Sequence, residues 1–300
     1  MTKTDIKKAY VFIAGAAILW GAIGIFVRRL TAEGLTNEQA IFIRVTVAAA
    51  VMVIVALIRG PALLRIRLRD IWIFIGTGGV GIAIDNIFYF RAIELTSMST
   101  AAMLMYTAPI FVMLMSALFY GERITRRKLL CLFLAVSGSI FISNVFSQGP
   151  DAFPAAGVLC GIASGLGYAL YSIIAVYGLR RYDTFTVTAY TFVFAAITSA
   201  AFAKPWLIFT EHATYSVLLN GLGLGVLCCT LPYFLYTRGL RDAEAGRASI
   251  TASIEPLAAT VFGFLFFDEK PTLMTLIGIL LIIGSIVILN LNIKLRTHKR

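Results

Sequence analysis

Three ionisable side chains interrupt apolar stretches of this 300-residue chain: Arg44, Asp85 and Glu255. A charge in hydrocarbon is costly, so such a side chain usually faces a partner, a bound ion or a water-filled cavity. An arginine can hold a carboxylate, and an acid can bind a cation or exchange a proton. These three residues are therefore the first candidates for chemistry.

Arg44 and Asp85 lie at matching depth in their apolar stretches. Each is six or seven residues from the nearer end of its stretch, which is roughly 10 Å at about 1.5 Å per helical residue. We predict that the two side chains pair. Two interpretations stay open: a structural ion pair that locks two helices, or a gating or substrate-binding role in which Asn86 adds a hydrogen bond.

Glu255 lies near the middle of its apolar stretch and directly precedes Pro256. Proline lacks an N–H and its ring clashes with the preceding turn, so the helix is loosened at this point. A carboxylate beside a loosened turn can face a water-filled cavity, where it would bind a cation or couple transport to a proton. The alternative is a carboxylate satisfied by neighbouring hydroxyls such as that of Ser253.

Aromatic side chains are the other candidates, because a tyrosine or tryptophan face can hold an organic cation or stack on a flat molecule. Each of them could equally be a packing residue or part of an interfacial belt. The aromatic candidates are Trp20, Tyr89, Tyr106, Tyr168, Tyr171, Tyr233 and Tyr236. With Asp85, Asn86 and Glu255, we take the first five of these as the substrate-binding candidates.

The composition indicates whether these residues lie in a soluble protein or in a membrane. Hydrophobic residues make up 59% of the chain and charged residues only 14%, and the mean hydropathy is +0.88. Since a soluble domain needs a more polar surface, we interpret the chain as an integral membrane protein. Its net charge of +11 does not indicate nucleic-acid binding, because the basic residues cluster between apolar runs, where they can meet lipid headgroups.

Ten stretches are long enough to cross a bilayer as helices, which takes roughly 20 apolar residues each. They are residues 9–28, 37–59, 70–91, 98–119, 127–146, 153–179, 184–203, 214–237, 247–267 and 272–293. The first follows Lys3, Lys7 and Lys8, and we interpret it as an uncleaved first helix.

The four cysteines have no metal-ligand spacing, so no metal or cofactor is expected.

The basic residues also predict the orientation. With the amino terminus inside, 20 Lys and Arg residues fall on the inner side and five on the outer side. Positively charged loops favour the cytoplasm, so both termini are predicted to be cytoplasmic and the membrane is predicted to be the inner, cytoplasmic one.

The chain repeats itself. Tyr89–Glu122 aligns without a gap to Tyr236–Glu269 at an offset of 147, with seven identities in 34 positions. We predict two five-helix halves, 1–148 and 149–300, joined in the link Gly149–Pro154. Because five is odd, the second half enters the membrane from the opposite side, and such inverted repeats are common in secondary transporters. The glycines Gly157, Gly161 and Gly165, spaced four apart, are predicted packing positions between helices.

At these motifs the sequence resembles the EamA type of the drug/metabolite transporter superfamily. The likeness rests on Leu19-Trp20-Gly21, Thr107-Ala108-Pro109 through Gly121-Glu122, Glu255-Pro256-Leu257 through Asp268-Glu269, and Gly278 and Gly284. Asp268 departs from the glycine usual there. The resemblance implies a ten-helix, inverted-repeat carrier with a central cavity, and it leaves the substrate open.

Two other classes were weighed against a carrier. An intramembrane enzyme is not indicated, because His212 and His298 lie outside the predicted spans and no lysine lies deep in one. A channel stays an alternative from the residues alone, although the sequence has no filter-like motif and no ring of repeated charges. We therefore expect a secondary transporter that works by alternating access, as a monomer or homodimer. It would export or exchange an amino acid or amine; the alternative is uptake of a choline-like cation.

Overall fold

The computed structural model describes residues 3–144 and 153–291, and these residues form helices with no β-strand. Two short 3₁₀ turns, Pro61–Leu64 and Leu68–Asp70, follow the third helix. The α-helices are α1 Lys3–Gly21, α2 Ile23–Ala32, α3 Asn37–Arg59, α4 Ile71–Phe74, α5 Ala83–Leu95, α6 Met98–Met105, α7 Ala108–Tyr120, α8 Arg126–Ile142, α9 Ala155–Leu179, α10 Thr184–Ala203, α11 Pro205–Glu211, α12 Tyr215–Gly225, α13 Leu231–Leu240, α14 Ala245–Ala252, α15 Ile254–Phe267 and α16 Leu273–Asn290.

Among the described residues, nine helical segments are long and apolar enough to cross a membrane. They coincide with nine of the ten predicted spans to within a few residues. The remaining prediction, 127–146, corresponds to α8, which has 17 residues. Most of the predicted link Gly149–Pro154 lies outside the described residues, as do the boundary between residues 148 and 149, His298, the four basic residues after Ile293 and the end of the span predicted at 272–293.

The offset of 147 that relates the two halves of the sequence also relates their helices. Added to the first residues of α3, α6 and α8, it gives the first residues of α10, α14 and α16. The N-cap residues follow the same rule, since Thr125 and Thr272 each accept a bond from the backbone N–H three residues later. The repeat is therefore present in the local structure and not only in scattered identities.

Two of the membrane-crossing segments are broken at equivalent points. α6 ends at Met105 and α14 at Ala252, each four residues before a proline, Pro109 or Pro256. The proline ring excludes the carbonyl four residues earlier from its helical position, so the helix stops there and restarts as α7 or α15. Glu255 thus lies in the first turn of a new helix.

Two other segments contain π-helical turns, Ile75–Ile82 before α5 and Val226–Thr230 before α13. In the second, the Thr230 hydroxyl donates to the carbonyl of Gly225 at 2.8 Å. Such turns often occur at functional sites. Here both lie between the apolar start of a segment and the part that carries the site residues.

Small residues allow the close helix packing that positions Asp85. A Cβ built on Gly167 of α9 would meet the backbone of α5 at Asp85, and one on Gly165 would lie 2.9 Å from the Thr107 hydroxyl. Gly157 and Gly161 face Thr96 and Leu104 in the same way. The predicted glycine face of α9 is therefore confirmed as a packing surface, and it holds α5, α6 and the start of α7 against the second half.

Candidate functional site

A cavity of about 370 Å³ extends from one end of the helices to their middle. Near its mouth it is lined by residues at helix ends, including Arg28, Met98, Phe267 and Glu269. We call this the open end; by the predicted orientation it is the outer one. The opposite end, which contains Tyr120, Glu122, Arg181 and Ala245, contributes no lining residue, and we call it the closed end.

The cavity brings together nearly all the predicted site residues. Its inner wall includes Trp20, Arg44, Asp85, Asn86, Tyr89, Tyr106, Tyr168 and Glu255. These residues come from α1, α3, α5, the break between α6 and α7, α9 and α15. Residues more than 200 positions apart therefore share one concave surface, which is the usual form of a small-molecule site.

Arg44 and Asp85 line this cavity without forming the predicted ion pair. Nη2 of Arg44 donates to Oδ1 of Asn86 at 3.2 Å, whereas Asp85 accepts a bond from the Ser164 hydroxyl at 2.7 Å. No ion pair of the described residues joins Arg44 to Asp85. The physical reason is that the short Ser164 side chain of α9 reaches Asp85 directly, while the guanidinium meets the neighbouring amide.

Glu255 is the least satisfied charge in the cavity. In the part of the chain that the structure describes, its carboxylate has neither an ion pair nor a hydrogen bond, and the predicted alternative bond from Ser253 does not form. Nε of Arg44 is likewise buried without a partner among the described residues. Arg44 and Glu255 thus line one cavity, and neither has an ion pair among the described residues.

Aromatic rings form one wall of the cavity around Trp20. Its ring centroid lies 5.1 Å from that of Tyr233 and 6.2 Å from that of Tyr168, both in edge-to-face arrangements. Its indole Nε1 is buried with no hydrogen-bond partner in the described chain. The wall can therefore offer ring faces and one N–H donor to a bound molecule.

Tyr171 does not belong to that wall, and its role in substrate binding stays a prediction. Its side chain is behind the first layer, with its ring 5.3 Å from that of Tyr233. Its hydroxyl shares a hydrogen bond of 2.7 Å with the hydroxyl of Thr237. Because the ring is only 2% exposed, we assign it to the packing between α9 and α13. Tyr236 is also buried there, bonded to Ser172 at 3.1 Å.

Several residues of the site were not predicted. Ser164 holds Asp85, and Arg28 and Glu269 form an ion pair of 2.5 Å at the mouth, where the Arg28 guanidinium lies 4.3 Å from the Phe267 ring centroid. Ser164 could have been found from its place beside Gly161 and Gly165 on the small face of α9. Glu269 was noted in the sequence only as the repeat equivalent of Glu122 and as part of a family motif.

The fold and the cavity can now be compared with known proteins. A model of the EamA-like transporter family matches the chain twice, over residues 7–144 and 155–291. The chain belongs to the EamA-like transporter family. The two matches correspond to the two sets of equivalent helices, so each part of the chain matches the family model separately.

The proteins to which this EamA-like transporter is similar are themselves named as transporters. An uncharacterized transporter of Archaeoglobus fulgidus is 32% identical over 213 residues, which cover 70% of this chain and 74% of that protein. The pseudopaline exporter CntI of Pseudomonas aeruginosa is 27% identical over 289 residues, covering 95% and 97% of the two chains. A solved crystal structure has a TM-score of 0.80 at 20% identity, covering 95% of this chain and 97% of its own; that likeness shows the fold. The chain is a multi-pass membrane transporter.

Proposed function

We propose that this EamA-like transporter is a secondary carrier for a small zwitterionic metabolite, such as an amino acid or a related amine. The observation that carries the proposal is the pair of opposite charges, Arg44 and Glu255, that line one cavity with no ion pair among the described residues. A zwitterion would place its carboxylate at Arg44 and its ammonium group at Glu255. Both contacts are charge-assisted hydrogen bonds, so both would favour binding.

The size of the cavity agrees with such a substrate. Its volume of about 370 Å³ lies in the range of roughly 300–1,000 Å³ typical of small-molecule sites. Trp20 and Tyr233 supply apolar ring surface for the remainder of the molecule, and the unpartnered indole N–H would donate to a second polar group. Asp85, held by Ser164, would then set the local charge rather than bind the substrate directly.

The transport mechanism we propose is alternating access by two inverted five-helix halves, 1–148 and 149–300. α8 would be the tenth membrane helix; it packs against α16, where the Ser285 hydroxyl donates to the carbonyl of Cys131 at 2.7 Å. The matching helix starts and the excess of basic residues on one side support this arrangement, with both termini in the cytoplasm and the protein in the cytoplasmic membrane. Efflux or exchange is the proposed direction, supported by the similarity to an exporter.

Proton coupling through Glu255 is part of the proposal. The charged and titratable groups that share its cavity are Arg28, Arg44, Asp85, Tyr89, Tyr106, Tyr168, Tyr233 and Glu269. A proton on Glu255 would cancel its attraction for an ammonium group, so protonation and substrate binding would exclude each other. Any transport that Glu255→Gln retains should then be independent of the proton gradient. Unchanged pH dependence in that variant would exclude the coupling.

A second candidate, uptake of a choline-like cation, is favoured by one specific observation. The rings of Tyr233 and Tyr168 lie 5.1 Å and 6.2 Å from the Trp20 centroid, in the cavity that also contains Glu255. Aromatic rings around an acid are a usual arrangement for a quaternary ammonium group. Such a ligand has no carboxylate, so it would leave Arg44 without a role.

Thermal unfolding of the purified protein in detergent separates these candidates. We expect amino acids to raise the unfolding temperature of the native protein, since a ligand that binds only the folded state stabilises it. Arg44→Gln and Glu255→Gln should each remove that shift, and Glu94→Gln, an exposed pair partner of Arg91 at the open end, is the matched control. A shift that survives Arg44→Gln but not Glu255→Gln would favour the cation. Counter-flow of the labelled best ligand into proteoliposomes then distinguishes a carrier from a channel.

A further inference from the structure

Glu122 at the closed end connects the two halves of the protein. Its carboxylate accepts a hydrogen bond from the backbone N–H of Ala245 at 2.7 Å and another from that of Gly246 at 3.2 Å. These are the first two N–H groups of α14, which have no acceptor within their own helix. Glu244, the N-cap residue of α14, makes no side-chain cap bond. A glutamate of the first half therefore caps a helix of the second half.

The cap is buried and reinforced. The Glu122 side chain is 13% exposed, and Nζ of Lys128 lies 3.5 Å from one of its oxygens and 2.9 Å from Glu244. A Cβ built on Gly246 would lie 3.3–3.5 Å from Glu122, Ser116 and Met113, so α14 packs directly on α7 here. Carboxylates at a helix N-terminus are stabilised by the helix dipole as well as by the bonds.

The open end contains the same parts, separated by the cavity. At the offset of 147, Glu122 corresponds to Glu269, and Ala245 and Gly246 correspond to Met98 and Ser99. Met113 and Ser116 correspond to Thr260 and Gly263. The counterparts at the open end all line the cavity: Met98, Ser99, Thr260, Gly263 and Glu269. The surfaces that are pressed together at the closed end thus face a gap at the open end.

Glu269 has a different partner in this state. It bonds to Arg28 at 2.5 Å, and the residue equivalent to Arg28 in the second half is Ala175. Arg28 thus keeps the carboxylate of Glu269 on the α2–α15 side of the mouth, away from α6. The hydroxyl of the N-cap residue Ser97 accepts a bond from the third N–H group of α6, that of Thr100. The first two N–H groups of α6, those of Met98 and Ser99, have no acceptor within their own helix, so they can bind an external one.

We infer that Glu122 and Glu269 are alternating latches, each of which closes its own end of the cavity by capping a helix of the opposite half. When the closed end opens, Glu122 releases α14, and Glu269 leaves Arg28 to accept the N–H groups of Met98 and Ser99. Only one latch is engaged at a time. The inference rests on the alternating access proposed above and adds the residues that hold each state.

Thiol labelling of the purified full-length protein tests the latches. In a background without the four native cysteines, one reporter is Met98→Cys, because Met98 is 53% exposed while its equivalent Ala245 is 1% exposed. The second reporter is Ala245→Cys. With both glutamates intact, we expect a maleimide to label the thiol at position 98 fast and the thiol at position 245 slowly. Glu122→Gln should slow the first and speed the second, each by about tenfold, since two bonds to a charged acceptor are weakened.

Glu269→Gln should leave the native pattern in place, and adding it to Glu122→Gln should return both rates toward the native values. Glu33→Gln, an exposed glutamate at the open end, is the matched control. Unfolding would speed both labels, so only a reciprocal change supports the latch. If both rates stay within about twofold of the native ones in Glu122→Gln, the latch is wrong. If the protein shows counter-flow but Glu122→Gln leaves both labelling rates unchanged, the latch is rejected and the carrier function stands. If the labelling rates change reciprocally but the protein shows no counter-flow, the proposed carrier function is rejected and the latch stands.

Discussion

The hydroxyl of Ser164 donates to Asp85 at 2.7 Å, and this bond joins the two halves of the protein at the inner wall of the cavity. Ser164 is fully buried in α9, and the backbone of Asp85 lies against Gly167 one turn further along. The carboxylate therefore has a fixed position, which the guanidinium of Arg44 does not determine. We interpret Asp85 as a positioned charge whose partner is a hydroxyl rather than a cation.

Replacing Ser164 by alanine should lower the free energy of unfolding by about 1–3 kcal/mol, because the partly buried carboxylate of Asp85 loses its hydroxyl donor. Thermal unfolding in detergent measures the change. The same substitution should cost less in an Asp85→Asn background, since the two residues are coupled. Ser199→Ala, which removes only a bond to the carbonyl of Ala196 in its own helix, is the control. Equal costs in both backgrounds would contradict the coupling.

Trp20 and Tyr171 should respond to substitution in opposite ways, because only Trp20 lines the cavity. Trp20→Phe keeps an aromatic ring and removes the unpartnered indole donor, so it should weaken ligand binding by about tenfold with little loss of stability. Tyr171→Phe removes the bond to Thr237 and should lower the free energy of unfolding by about 0.5–1.5 kcal/mol while affinity is unchanged. Ligand titration and thermal unfolding of both variants check this; a loss of affinity in Tyr171→Phe would return that residue to the site.

The sequence was sufficient for nine of the ten predicted spans because hydrophobic length is a strong signal in a membrane. Span limits depend on about 20 apolar residues each, and the prolines at 109 and 256 mark the helix breaks. The cost of placing a charge in lipid predicts that Arg44, Asp85 and Glu255 face a cavity. All three line the same one. These conclusions need no knowledge of how one helix is rotated against another.

Partner choice within the site does depend on that rotation. Residues three apart on a helix differ by about 60° in direction, since each residue turns about 100°, and this separates Tyr168 on the wall from Tyr171 behind it. The π-helical turn Ile75–Ile82 further changes the rotation of α5. The pair with Arg44 was predicted from matching depth, which carries no information about this rotation, and Asp85 instead accepts a bond from Ser164.

Asp70 should stabilise the closed end independently of the glutamate latch. It is buried beneath the short loop after α3, where Nη1 of Arg181 donates at 2.5 Å and the Tyr182 hydroxyl at 2.7 Å. Asp70→Ala leaves both donors without their acceptor, so the free energy of unfolding should fall by about 1–3 kcal/mol. Asp183→Asn, in an exposed pair with Arg241 at 3.3 Å, should change it by less than about 1 kcal/mol. If the two variants lose similar free energies of unfolding, the buried cluster around Asp70 contributes no more to stability than an exposed ion pair.

Gly167 should be among the glycines least tolerant of substitution, because it faces the backbone of the helix that carries Asp85. A Cβ at this position would contact the main-chain nitrogen of Asp85, and a backbone cannot rotate away as a side chain can. Gly167→Ala should therefore push α5 from α9, cost about 1–3 kcal/mol by overpacking and weaken ligand binding. Gly284→Ala, where a Cβ would meet nothing within 4 Å, is the matched control in α16. Thermal unfolding and ligand titration of both variants measure the difference, and an affinity unchanged in Gly167→Ala would mean that the α5–α9 contact does not position the site.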